Sequence, residues 1–167
     1  MKEIKLTIDG KEVQLTEEQL RLLGIEPEKK RKNPFERVAE DEVYFQIGID
    51  GDVFSLYEYG TTSDEESVLC VNYFNDEAFA KQVSLHQLLY RKLLKFVYDN
   101  ECEDTAEWDG KTAHWVIRYN ENRNEFCSYY QDGYKARDVY FSSKEGAERA
   151  IAEVVEPFVK EHPEFVW

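Results

Sequence analysis

The chain has 167 residues, 14% of them aromatic, and a formal net charge of −14. That length suits one globular domain with a small appendage, and the aromatic load excludes a disordered chain. So negative a charge disfavours direct contact with nucleic acid and favours cationic partners.

Residues 1–24 predict a small ββα module. Glu3 to Ile8 alternates, Asp9-Gly10 supplies a turn with φ > 0, and Lys11 to Leu15 returns as the second strand. Thr16, with Gln19 three residues on, forms a capping box for a short helix that carries Leu20, Leu22 and Leu23 and stops at Gly24. Residues 25–37 read as a charged linker containing Pro27 and Pro34. The basic run Lys29-Lys30-Arg31-Lys32 is flanked by Glu26, Glu28 and Glu36, which favours a solvated connector over a localisation signal or nucleic-acid contact.

Residues 38–167 predict the main domain, written as two ββ-loop-βα units over 38–104 and 105–167. In the first, Val43–Ile49 and Asp52–Tyr59 form a hairpin about Asp50-Gly51. A polar loop follows, then a strand over Leu69–Phe74 and a helix from Asp76 to about Tyr98, entered through Asn75. In the second, Ala113–Tyr119 and Glu125–Tyr130 flank a turn through Asn120–Asn124. Asp138–Phe141 is its third strand, and a helix begins at Ser142 with Glu145 as a capping box. Pro157 should kink or end that helix near Val155. The joints Tyr73-Phe74-Asn75 and Tyr140-Phe141-Ser142 correspond, the sign of a diverged internal repeat. The expected fold is α+β: one antiparallel sheet shared by both units, with both helices on one face.

The charge is unevenly placed. Residues 38–80 hold 11 Asp and Glu and no Lys or Arg, interleaved with apolar residues that can fold. Asp41, Glu42, Asp52, Glu58, Asp64, Glu65 and Glu66 are therefore the candidate partner-binding residues, expected on one face. No catalytic, cofactor-binding or metal-ligating set is expected. No His, Ser or Cys stands beside the carboxylates in an acid–base or nucleophilic arrangement, and glycine-rich phosphate loops are absent. Asp50-Gly51-Asp52 lacks the ligand series of a calcium loop and reads as a turn. Cys70, Cys102 and Cys127 are too far apart for a zinc knuckle: Cys70 and Cys127 are expected buried in strands, and Cys102, among acids, unreactive. His86, His114 and His162 have no ligand spacing. With neither a signal peptide nor a membrane-length apolar run, a soluble intracellular protein is expected.

Glu36-Arg37-Val38, Val43-Tyr44-Phe45, Asp50-Gly51-Asp52-Val53, Asn72-Tyr73-Phe74 and Asp138-Val139-Tyr140-Phe141-Ser142-Ser143 together resemble a recurring pattern in small accessory proteins of phages and prophages of Gram-positive bacteria. The resemblance implies a mobile-element context and a cytoplasmic setting in a bacterial host. Small acidic phage proteins include inhibitors of host-defence nucleases, anti-CRISPR proteins among them, which occupy basic nucleic-acid grooves. A non-enzymatic inhibitor that binds a basic host protein is thus the leading expectation. The alternatives are an accessory protein with a merely solubilising acidic surface, or a single-strand nucleic-acid binder using Tyr119, Tyr129, Tyr130 and Arg118 or Arg123. Whether it acts as a monomer or a homodimer is open on sequence grounds.

Overall fold

The computed structural model describes the strands Leu6–Ile8 and Lys11–Val13 and all of residues 33–167. The chain divides into two units, 1–33 and 34–167. In the first, β1 (Leu6–Ile8) and β2 (Lys11–Val13) pair antiparallel with Ile8 opposite Lys11, the hairpin that the Asp9-Gly10 turn predicts. The helix expected after Thr16 and the basic run Lys29–Lys32 lie outside the described residues.

The second unit begins with residues assigned above to the linker. The Phe35 ring packs 5.3 Å from Phe74 and 5.4 Å from Phe79, and the Pro34 carbonyl accepts from the Asn75 amide. Residues 34–37 are therefore part of the folded body, because they carry an aromatic anchor as well as charge.

The next elements are β3 (Val43–Ile47), β4 (Val53–Tyr57), α1 (Thr62–Leu69) and α2 (Glu77–Asp99). They are followed by β5 (His114–Asn120), β6 (Glu125–Gln131), α3 (Lys144–Ala150), a π turn (Ile151–Val155) and α4 (Glu156–Glu161). The class is α+β, as expected. The shared sheet is not: the described strands form three separate antiparallel hairpins. Two expected third strands shrink to single bridges, Phe74 on Phe45 and Phe141 on Trp115. The segment expected to be a strand from Leu69 instead finishes α1 and turns. Asn72 then spends its side chain on both backbone groups of Ile47, which closes that stretch of β3's edge to a longer strand.

Helix entries fall one residue later than the sequence pattern suggests. Asp76, not Asn75, accepts from Phe79 N, and Ser143, not Ser142, accepts from Gly146 N. The first hairpin also turns through the wider loop 48–52, with Gly48 N donating to Asp52 O and Ile49 fully exposed at the tip. Pro157 acts one turn upstream of itself. Glu156 N donates to Ile151 O, five residues back, so the ladder widens into a π turn and the helix continues to Glu161.

α2 packs against β3, β4, α3 and the π turn, while α3 packs on β5 and β6. The C-terminal half of α2 supplies Leu89, Leu93, Phe96 and Val97 to one core. Ile117, Val139, Phe141, Ala147, Ile151, Val155 and Phe158 complete it, with Leu85 and Leu88 packed against its edge. Cys102 is the buried thiol of the three, and burial raises its pKa; Cys70 is exposed and Cys127 half-buried, because Cys70 caps a helix rather than lying in a strand. Among the described residues no helix is long and apolar enough to cross a membrane.

α1 ends with Val71 in the left-handed region at φ 56°, where glycine is usual. Asn72 N reaches back to Ser67 O and Val71 N to Val68 O, so the turn is held despite the strain. The side chain is 61% exposed and contributes little packing. Val71→Gly should stabilise the fold by about 1 kcal/mol, by relieving a left-handed β-branched residue. Urea melts check this, and a loss of stability would show that the valine side chain packs more than its exposure indicates.

Candidate functional site

The acidic segment is organised by two carboxylates that it buries. Glu58 and Asp64 are only 3% and 4% exposed. Glu58 follows β4; its Oε1 and Oε2 receive Arg37 Nη2 at 2.8 Å and Nε at 2.9 Å, a two-point clamp. Tyr73 OH donates to the same carboxylate at 2.9 Å and Gly60 N at 2.7 Å. Asp64 lies in the first turn of α1. It accepts from Tyr44 OH at 2.7 Å, from Thr61 N at 2.8 Å and from Tyr59 N at 3.2 Å, while Thr61 Oγ1 accepts from Asp64 N to close a capping box.

Electrostatics follow from these bonds. The Arg37 guanidinium holds Glu58 below the usual carboxylate range, and the Tyr44 hydroxyl with the Thr61 amide holds Asp64 down to about 2. Tyr44 and Tyr73 stack with centroids 4.1 Å apart. Burial, with a carboxylate beside each hydroxyl, pushes both up to about 12.

The seven predicted site residues therefore divide. Glu58 and Asp64 face inward and hold the hairpin, Tyr73 and α1 together; a spacing of charges in sequence does not distinguish a buried carboxylate from an exposed one. Asp41, Glu42, Asp52, Glu65 and Glu66 are exposed. Asp41 N donates to Glu58 O and Glu58 N to Glu42 O, which extends the hairpin ladder and places both acids at its open end. Glu65 reaches the same end, 2.6 Å from Arg37 Nη1. Asp52 lies in the turn, six residues before Glu58 and roughly 20 Å away at about 3.4 Å per residue. Arg37 thus supplies counter-charge from just outside the acidic block. Its role has no local sequence signal, since its partners are 21 and 28 residues away.

Aromatic side chains accompany these acids: Tyr57, opposite Val43, and Tyr59 stack on each other at the surface, 6.2 Å apart. Leu69 and Val71, 79% and 61% exposed, lie instead toward the turn end, where Asn72 bonds Ile47. The open end thus combines carboxylates with aromatic surface, and segment 38–80 itself contains no Lys or Arg.

The segment around β5 holds a different buried pair. His114 is wholly buried, with Nδ1 2.5 Å from Asp104 Oδ2 and its ring flat against Trp108 at 3.7 Å. Its Nε2 is buried and has no hydrogen-bond partner among the described residues. On the β5–β6 hairpin, Tyr129 and Tyr130 are exposed and stacked at 6.0 Å, but Arg118 is tied to Asp138 at 2.7 Å. Among the described residues no cluster of three His, Cys, Asp or Glu side chains is arranged to hold a metal ion.

No family model matches this chain, and neither a curated protein nor a solved structure matches it.

Proposed function

We propose that this protein is a non-enzymatic binding module that docks a basic protein through the open end of its first hairpin and the adjoining α1. The observation that carries the reading is the exposed set Asp41, Glu42, Glu65 and Glu66 at the open end of the hairpin beside the exposed rings of Tyr57 and Tyr59, on a segment without a single Lys or Arg. Carboxylates on a rigid hairpin attract and orient a cationic partner, and the two tyrosine rings supply the area that charge alone does not. Competition with nucleic acid for the same basic groove follows from the sign of the surface. In the phage or prophage setting that the sequence resemblance implies, the partner is a nucleic-acid-binding host-defence protein in the bacterial cytoplasm, and the outcome is inhibition.

The same reading takes the two halves of the body as one unit written twice. What supports it is a set of equivalences. A buried ring, Tyr44 or His114, precedes the bridged aromatic, Phe45 or Trp115. A tyrosine, Tyr73 or Tyr140, lies beside each ring; a carboxylate holds each ring too, but Asp64 follows its ring in the chain and Asp104 precedes its own. Both hairpins carry a stacked pair of exposed tyrosines, Tyr57 with Tyr59 and Tyr129 with Tyr130.

The test compares the protein with a variant carrying Asp41→Asn, Glu42→Gln and Glu66→Gln, which preserves shape and leaves the buried Glu58 and Asp64 untouched. Asparagine tolerates the φ of 67° at position 41. Capture from host lysate should yield a basic nucleic-acid-binding protein with the natural chain, released by added nucleic acid. The variant should fold normally and bind at least about tenfold more weakly, with a shallower salt dependence. Equal capture by both proteins contradicts the proposal.

A further inference from the structure

We infer that the cleft between α2, β5 and residues 137–139 binds a small organic anion with an apolar tail, of the medium-chain carboxylate class. Its volume is about 250 Å³, and Leu89, Leu93, Phe165 and Trp167 line its apolar part. That is just below the roughly 300–1,000 Å³ of pockets for drug-sized ligands, so the occupant is small.

The mouth sets the sign of the ligand. Arg118 and Arg137 both line the cleft, in a chain that is otherwise strongly acidic. Arg118 is held in place by Asp138, which accepts from Nη2 at 2.7 Å, and by the Ile117 carbonyl, which accepts from Nη1 at 3.2 Å. Asp138 is thereby committed, and an incoming amine finds no free side-chain carboxylate among the lining residues. Arg137 is exposed and makes no ion pair among the described residues. The rim side chains Arg118, Arg137 and Asp138 therefore carry one net positive charge above an apolar floor. A tail in the floor with a carboxylate on Arg137, sharing the remaining donors of Arg118, satisfies both halves of the cleft. A neutral chain of the same length leaves the rim unanswered.

The experiment titrates the full-length protein with octanoate, octylamine and octanol, each read by calorimetry and by the emission of Trp167, which also lines the cleft. Saturable one-to-one binding is expected for octanoate, with octanol about tenfold weaker and octylamine not bound. Arg137→Gln alters an exposed side chain with no structural ion pair, so the variant should fold. Circular dichroism verifies that, and its octanoate affinity should fall about tenfold. Failure of octanoate to saturate at millimolar concentration overturns the inference. So does octanol or octylamine binding as tightly as octanoate, or an unchanged affinity in the folded Arg137→Gln protein.

Discussion

Replacing Phe141 by alanine is expected to cost about 3–5 kcal/mol, the range for emptying a fully buried aromatic site. The ring is wholly buried in the core that α2, β5 and α3 share. Its backbone exchanges two hydrogen bonds with Trp115, at 2.8 and 3.3 Å, and is bridged to Glu103 as well. The position thus ties the second hairpin to the segment leaving α2, and Ser143 caps α3 two residues later. These backbone bonds restrain the site from collapsing around the missing ring, so the cavity penalty adds to the lost burial. Urea unfolding of residues 34–167, followed by far-UV circular dichroism, measures the cost. A loss under about 1 kcal/mol would place Phe141 outside the core.

Arg37→Met should destabilise the fold, because it leaves the nearly unexposed Glu58 carboxylate without its cation, although the Arg37 side chain is itself 37% exposed. Methionine keeps the aliphatic stem but leaves the Glu58 charge with only Tyr73 OH and Gly60 N. Adding Glu58→Gln to Arg37→Met removes that stranded charge and should recover part of the loss; a double variant no better than the single would assign the effect to packing.

The same network sets the pH limits. Carboxylates whose folded pKa is depressed contribute stability that is present above their unfolded value, 3.8 for Asp64, and that is lost as pH falls towards about 2. Tyr44 and Tyr73 have raised folded values. Their contribution is fully present below the unfolded value of 10.0 and is lost as pH rises through about 12. Acid unfolding of Arg37→Met should therefore begin at higher pH than that of the natural chain, because Glu58 loses the partner that holds it down.

Local chemistry was readable in the sequence and long-range chemistry was not. The β5–β6 hairpin falls within one residue of its expected bounds, since Trp115 to Tyr119 and Phe126 to Tyr130 lie between clear turn residues. α2 is equally plain from its long apolar stripe. α1 went unrecognised although Thr61-Thr62-Ser63-Asp64 is a capping box with Glu65 next to it, a helix start in its own right. Its eight residues carry only Val68 and Leu69 as large apolar side chains, too few for periodicity to register. The shared sheet failed for a related reason. The strand pattern at Leu69–Phe74 is apolar, but Val71 turns the chain with a positive φ and Asn72 caps the edge of β3. At the candidate site, the excess of acid was legible, but its division into buried and exposed carboxylates depended on Arg37, Tyr44 and Tyr73, none adjacent to Glu58 or Asp64 in sequence.

The most direct measurement of the proposed role is site-specific photocrosslinking from two exposed positions, 59 at the open end of the β3–β4 hairpin and 49 at its tip. Both side chains are solvent-exposed, so either probe leaves the fold unstrained. In host lysate, the probe at 59 should crosslink to a basic, nucleic-acid-binding protein, and excess nucleic acid should abolish the adduct, while the probe at 49 gives none. Equal crosslinking from both positions, or an adduct at 59 that nucleic acid leaves unchanged, would contradict it.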